Sequence, residues 1–360
     1  MTKVLVVDDS ALMRKLLGQI FAGESDFVVQ FARNGLEALD LVQSFSPDVV
    51  TLDIHMPQMD GLACLDRIMV EHPCPVVMVS SLTADGADAT LEALRLGAID
   101  FVAKPEGAIS LHIDELRADL VGKVRAAAGA RLKSSARLKE RVRHRMGVNA
   151  AALRGPGRAR AVHPAPARAS GEGLVLVGTS TGGPPALEAL LTPLPADFPW
   201  PIVVAQHMPA TFTGALARRL DGLCALSVVE VVRTIQLQAG CVYIAKGDAD
   251  IVVARRPSGL VALPVRPAAD YPWHPSADRL VRSAMEEFAP SQIVGVLMTG
   301  MGNDGAEAMA RLHAEGGRTI AEAEETAVVW GMPGELVAKA GADWVLPLPE
   351  ISGWLRRLAP

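Results

Sequence analysis

Aromatic residues are scarce in this 360-residue chain: eight Phe, five Trp and two Tyr make up 4% of it. Its cores must therefore be built from Val, Leu, Ile and Ala, and half of the residues are hydrophobic, enough to supply them. Cysteine is scarcer still. Cys64, Cys74, Cys224 and Cys241 form no CxxC, and their spacing suits neither a zinc site nor a disulfide framework, so reduced thiols in a cytoplasmic protein are expected. No apolar run approaches the ~20 residues that a membrane helix needs, which argues against membrane insertion. The opening MTKVLVVDDS has no basic stretch followed by a long apolar one, so it does not read as a signal peptide. The net charge of −5 is mild and argues against a nucleic-acid or membrane protein.

The length suits two domains. Over residues 1–121, apolar runs at 4–7, 27–31, 49–52, 76–79 and 101–103 alternate with stretches of helical spacing such as Leu12, Leu16, Leu17 and Ile20. That alternation predicts a parallel sheet with helices on both faces. Residues 122–172 change character. Between 122 and 170 stand 13 Lys or Arg and a single acid, Glu140, whereas residues 1–121 hold 8 basic and 19 acidic residues. The stretch to about 145 fits a basic helix. GPGRARAVHPAPARASGEG beyond it lacks a hydrophobic period and reads as a linker. From Leu174 the alternation resumes: LVLVG, PIVVAQ, CVYIA and IVGVLM read as strands, and 184–191, 212–220 and 303–313 as helices.

In an open parallel sheet, functional groups gather at the carboxyl ends of the strands. In the first domain these positions hold Asp8 and Asp9, then Asp53, then Ser80 and Ser81, then Lys104. Three close carboxylates repel one another unless a cation joins them, and a hard divalent ion such as Mg²⁺ resolves this. The lysine and a serine hydroxyl then suit an added phosphoryl group on Asp53. A lone strand-end Asp is more often a turn or a helix cap, but the ordered set is specific. VVDDS, LDIHMPQMDG, VMVSS and GAIDFVAKP make residues 1–121 resemble the receiver domain of bacterial response regulators. The resemblance implies phosphorylation at Asp53, Mg²⁺ held by Asp8, Asp9 and Asp53, phosphoryl contacts from Lys104 and Ser80, and an aromatic switch residue at Phe101. Ser81 is less favoured than Ser80, which directly follows the VMV strand. His55 departs from the acid often found there in the closest relatives. The bland reading makes it an exposed His without a role.

In the second half, Gly178-Thr179-Ser180-Thr181-Gly182 matches G-x-S-x-G, a serine on a tight strand-to-helix turn with Pro184 and Pro185 behind it. The turn exposes the hydroxyl, and the helix N-terminus offers N–H groups to an oxyanion. A phosphate-cradling loop is disfavoured, because GTSTGG has neither the GxGxxG order nor a GK[ST] ending. Three histidines compete as base: His207 after strand PIVVAQ, His313 within the helix after Asp304, and His274 in YPWHPS. Strand ends converge, which favours His207. Asp304, after a strongly apolar strand, is the candidate acid; a helix-dipole partner is its plainer reading.

GTSTGG, AQHMPATFTGALARRL, HPSADRLVRSAME, LMTGMGNDGAEAM and AEAEETAVVWGMP are similar to the catalytic domain of the protein-glutamate methylesterases of bacterial chemotaxis, over about 173–357. The resemblance implies Ser180 as nucleophile, His207 as base and then acid, and Asp304 as orienting carboxylate. It adds the Met301 N–H as an oxyanion donor and Thr181 as a supporting hydroxyl. It implies hydrolysis of glutamate γ-methyl esters and deamidation of selected glutamines on chemoreceptors, with no cofactor for the esterase step and Mg²⁺ only at the receiver. A chemotaxis histidine kinase would be the phosphodonor, and the receiver would cover the active site until phosphorylated. The expected architecture is two doubly wound parallel-sheet α/β domains, flavodoxin-like (1–121) and Rossmann-like (173–357), joined by the 122–172 linker in a cytoplasmic monomer. His274 stands where relatives frequently carry Lys or Arg, which reads either as altered receptor binding or as surface variation. The competing classes are a methylesterase-like regulator of another pathway and a binding output domain using the basic segment 123–145. No helix-turn-helix pattern supports the latter.

Overall fold

The computed structural model describes residues 1–81, 83–104, 113–130, 173–257 and 259–359. The first domain is a five-stranded parallel sheet of β1 (Thr2–Val7), β2 (Phe27–Ala32), β3 (Val49–Asp53), β4 (Val76–Ser80) and β5 (Asp100–Ala103), in the order β2-β1-β3-β4-β5. Four helices intervene, α1 (Ala11–Ala22), α2 (Gly35–Phe45), α3 (Gly61–Glu71) and α4 (Ala84–Leu96), and α5 (Ile113–Ala128) follows β5. Strands β3 and β4 are buried at every residue, as the continuous apolar runs of a sheet covered on both faces require. Side-chain caps start four of the helices. Ser10 accepts from the Met13 amide at 3.4 Å, Asn34 from Glu37 at 3.0 Å, Asp60 from Ala63 at 2.7 Å and Thr83 from Gly86 at 3.1 Å.

The expected boundary at 121 falls inside α5, which continues to Ala128. Leu120, Val121, Val124 and Ala127 are buried in one cluster with Val4, Val6 and Leu17, so apolar packing holds this part of the basic stretch to the first domain. The rest of the expected basic helix and the linker, 131–172, lie outside the described residues.

The second domain is a seven-stranded parallel sheet of β6 (Leu174–Thr179), β7 (Ile202–Gln206), β8 (Ser227–Val231), β10 (Cys241–Ala245), β13 (Ile293–Leu297), β14 (Arg318–Glu322) and β15 (Trp344–Leu346). Its order is β15-β14-β13-β6-β7-β10-β8. Around it lie α6 (Gly183–Leu191), α7 (Ala210–Leu223), α8 (Ala277–Glu287), α9 (Ala306–Ala314), α10 (Met332–Ala338) and α11 (Leu348–Leu358). A small antiparallel sheet, β11-β12-β9, made of β9 (Ile235–Gln236), β11 (Asp250–Arg256) and β12 (Gly259–Val265), packs on α8. Both large sheets reverse direction of strand order beside a central strand: between β1 and β3 in the first and between β6 and β13 in the second. Those are the switch points at which open α/β sheets bind ligands.

The two domains pack through α4 against α7 and α6. Arg219 on α7 lies 3.5 Å from Glu92 on α4 and 3.6 Å from Glu188 on α6. The ring of Phe101 packs tilted on Phe212, 4.3 Å between centroids.

Candidate active site and phosphoacceptor pocket

Strand β6 ends at Thr179, and the chain turns sharply into α6. Gly182 caps that helix at φ 76°, a conformation L side chains rarely adopt, and a Cβ there would lie 2.7 Å from Val328 Cβ. Three hydrogen bonds tie down the turn. The Ser180 amide donates to Thr299 O at 3.0 Å, the Gly183 amide donates to Ser180 O at 2.7 Å, and Gln206 Nε2 donates to Ser180 O at 3.0 Å. Gln206 Oε1 accepts from Thr179 Oγ1 at 2.5 Å. This buried amide thus stitches the ends of β6 and β7 together immediately before His207. A Cβ on Gly300 would come within 2.7 Å of Ser180 Cβ, so the loop carrying Met301 runs directly against the serine.

His207 and Asp304 meet although 97 residues apart: Nε2 lies 2.8 Å from Asp304 Oδ2. With Nε2 engaged, the nitrogen left to accept a proton is Nδ1, which is buried and has no hydrogen-bond partner among the described residues. The Trp273 ring stacks beside the imidazole, 5.9 Å between centroids and 2° between planes. Asp304 is buried at the N-terminus of α8. It accepts from Ser276 Oγ at 2.8 Å, the Ala277 amide at 2.6 Å and the Asp278 amide at 3.1 Å. Burial acts to raise its pKa, but the His207 contact and these amides outweigh it and hold the carboxyl below the ordinary value.

The other two histidines are used elsewhere. His313 on α9 lies 3.2 Å from Asp343. His274 is partly buried and paired. Its Nδ1 lies 2.9 Å from Asp250 Oδ1, whose side chain is fully buried. Thr181 is committed as well: its hydroxyl donates to Asp100 Oδ2 of the first domain, and both residues are buried.

In the first domain, carboxylate oxygens of Asp8, Asp9 and Asp53 lie within 4.8 Å of one another. Lys104 Nζ is 2.9 Å from Asp8 Oδ2 and 2.8 Å from Asp53 Oδ2. Burial raises the Asp53 pKa despite the lysine. For Lys104, burial acts to lower the pKa, and its bonds to Asp53 and Asp8 reverse that. One ammonium against three carboxylates leaves excess negative charge among hard oxygen donors, a set that fits Mg²⁺. Ser80 Oγ donates to Gly86 O at 3.2 Å. His55 is exposed, with its amide 3.4 Å from Asp53 Oδ1. Phe101 is buried against the second domain, and Lys123 Nζ donates to its carbonyl at 2.8 Å.

Gln206, Thr299, Ser276, Asp250 and Asp100 were not singled out from the sequence. Only Ser276 carried a local signal: a serine directly before the amphipathic run ADRLVRSAME is a helix N-cap pattern, and its hydroxyl accepts from the Arg279 amide at 3.2 Å.

The CheB methylesterase family model matches residues 175–355, and the response regulator receiver domain model matches residues 4–114. A protein-glutamate methylesterase/protein-glutamine glutaminase of Rhodopseudomonas palustris is 59% identical over 98% of this chain and 96% of its own length. One from Rhodospirillum rubrum is 53% identical over 99% of this chain and 95% of its own. The crystal structure of the Thermotoga maritima CheB methylesterase catalytic domain aligns with a TM-score of 0.50 and 36% identity, covering 52% of this chain and 98% of that one. The chain belongs to the CheB family of protein-glutamate methylesterases, with a response regulator receiver domain in front of the catalytic domain.

Proposed function

We propose that the chain hydrolyses γ-methyl esters of glutamate on chemoreceptors, deamidates selected glutamines by the same route, and is activated by phosphorylation of Asp53. The His207–Asp304 pair beside the Ser180 turn is the observation that carries this reading. His207 Nδ1 takes the Ser180 proton as the hydroxyl attacks the ester carbonyl. The Met301 N–H receives the oxyanion, and the imidazolium then protonates departing methanol, or ammonia from a glutamine. Water releases the acyl-enzyme by the reverse proton path. Asp304 keeps the ring oriented, and Thr181 supports the turn.

In the receiver, Asp8, Asp9 and Asp53 would hold Mg²⁺, which neutralises charge during phosphoryl transfer. Lys104 and Ser80 contact the phosphoryl group, and Phe101 links the pocket to the interface. A chemotaxis histidine kinase supplies the phosphoryl group, and the enzyme acts as a cytoplasmic monomer without binding nucleic acid. No described helix is long and apolar enough to cross a membrane. The gating reading is supported by what the receiver touches: Asp100 engages Thr181, the neighbour of Ser180, and Gly122 lies against Met301, a Cβ there standing 3.4 Å from its Cε. Phosphorylation shifts the population away from this closed arrangement.

The test is methanol release from methylated receptor, with and without a small-molecule phosphodonor and Mg²⁺. Ser180→Ala should abolish release, and phosphodonor should raise the wild-type rate. Full activity of the Ser180→Ala variant refutes the serine mechanism, and equal rates at saturating phosphorylation refute the gating.

A further inference from the structure

We infer that Asp250 and Ser276 are positioning residues of the esterase reaction, acting together as a buried brace that sets the carboxylate of Asp304 against His207. The inference rests on the proposed roles of His207 and Asp304.

Asp250 opens β11, in the small antiparallel sheet, outside the switch point that carries Ser180. Its buried carboxylate gathers one stretch of chain. Oδ1 accepts from the Ser276 amide at 2.9 Å and lies 2.9 Å from His274 Nδ1, and Oδ2 accepts from Arg279 Nη1 at 2.6 Å. A longer contact of 3.4 Å reaches the Ala268 amide. Burial acts to raise the Asp250 pKa, but His274 and Arg279 lower it further, so the carboxylate is charged at neutral pH.

The stretch so held, 273–278, supplies what surrounds the His207–Asp304 pair. Ser276 Oγ and the amides of Ala277 and Asp278 bond to Asp304, and Trp273 lies along the His207 ring. Ser276 joins the two carboxylates directly: its N–H goes to Asp250 and its O–H to Asp304. Without the brace, the start of α8 can shift relative to β13, and Asp304 shifts with it. An orientation error of this kind slows the chemical step and leaves substrate binding alone, since none of these bonds is made to the substrate.

The experiment uses the full, phosphorylated chain and methylated receptor, assayed well below each variant's melting temperature. Asp250→Asn keeps the shape and removes the charge; Ser276→Ala removes the hydroxyl alone; Ser276→Thr restores it. The first two should each lower kcat about tenfold with KM unchanged within about twofold, and Ser276→Thr should recover most of the rate. Both substitutions loosen the same stretch around Asp304, so the Asp250→Asn/Ser276→Ala double variant should lose less than the product of the two single losses. Wild-type kcat in Ser276→Ala, failure of Ser276→Thr to recover it, or multiplying losses in the double variant overturns the brace. His207→Ala and Asp304→Ala are run alongside. If those two keep wild-type activity, the histidine–aspartate reading itself fails; if they lose it while the brace variants do not, only this inference fails. The serine variants keep the test decisive should Asp250→Asn not fold.

Discussion

Replacing Asp100 by Ala should raise the activity of the unphosphorylated enzyme. In the closed arrangement the Thr181 hydroxyl, 2% exposed as a residue, donates to Asp100 Oδ2 across the interface. Opening gives both groups water. Alanine leaves the Thr181 hydroxyl buried without an acceptor in the closed state only, at a cost of roughly 1–3 kcal/mol. An opposing effect is that the substitution also removes the burial of a carboxyl, which raises the Asp100 pKa. The lower figure is therefore the realistic net, about 1 kcal/mol, or roughly a fivefold rise in the ratio of open to closed molecules. Asp100→Asn behaves differently. Its amide oxygen accepts from the Phe101 amide, as Asp100 Oδ1 does at 2.8 Å, and its NH₂ donates to the Thr181 hydroxyl, which also accepts hydrogen bonds. The hydroxyl keeps a partner and the buried charge is gone, although its own proton finds no acceptor, so basal activity should rise less than in Asp100→Ala. Methanol release before phosphorylation reads both, with the phosphorylated rate as the common ceiling. A basal rate unchanged by Asp100→Ala, or raised equally by Asp100→Asn, refutes the hydrogen bond as a closing contact. The dependence on pH has a fixed sign. Where opening returns the carboxyl to its ordinary value of 3.8, its contribution to closure is complete below that value and is lost as pH rises through the raised one.

Three other outcomes are expected. Gly300→Ala should lower activity strongly, because the added Cβ meets Ser180 Cβ at 2.7 Å and crowds Met332 Sδ; methanol release from the phosphorylated variant measures it, and a wild-type rate would contradict the packing. Burial pushes the Cys64 and Cys74 thiols up to about 12, so at pH 8 maleimide should modify the partly exposed Cys224 and Cys241 first, as intact-mass and peptide analysis would show. Asp304→Asn should destabilise the protein at pH 7, with the difference from wild type shrinking as pH falls below 3.8 toward the depressed value; urea unfolding across that range tests it, since a group whose pKa is lowered on folding stabilises above its unfolded value and ceases to below its folded one.

What was legible in the sequence is what local chemistry encodes. Continuous apolar runs such as VVMVS place strands, and polar residues at their ends mark both switch points, so Asp53, Lys104, Ser180 and His207 could be found without coordinates. What was not legible depends on contacts between distant segments. Asp100 was not singled out, because nothing in GAIDFVAKP says that it faces Thr181, 81 residues on. His274 read as surface because its partner, Asp250, lies 24 residues earlier on a strand of a small sheet that the apolar pattern did not reveal. The boundary at 121 missed α5's last turns because a rise in Lys and Arg hides the buried positions Val124 and Ala127 between them.

The same distinction explains how the enzyme can be switched without rebuilding its site. The Ser180 turn, His207 and Asp304 are held by bonds within the second domain: Gln206, Thr299 and the start of α8. None of those bonds crosses to the receiver. Contacts that do cross include those of Thr181, Met301, Phe212, Arg218 and Arg219. On the proposed gating, separation of the domains would uncover a site already assembled, so the phosphorylated chain and the isolated segment 173–357 should share a kcat. A segment with a markedly lower kcat would mean that the receiver helps to form the site instead of covering it.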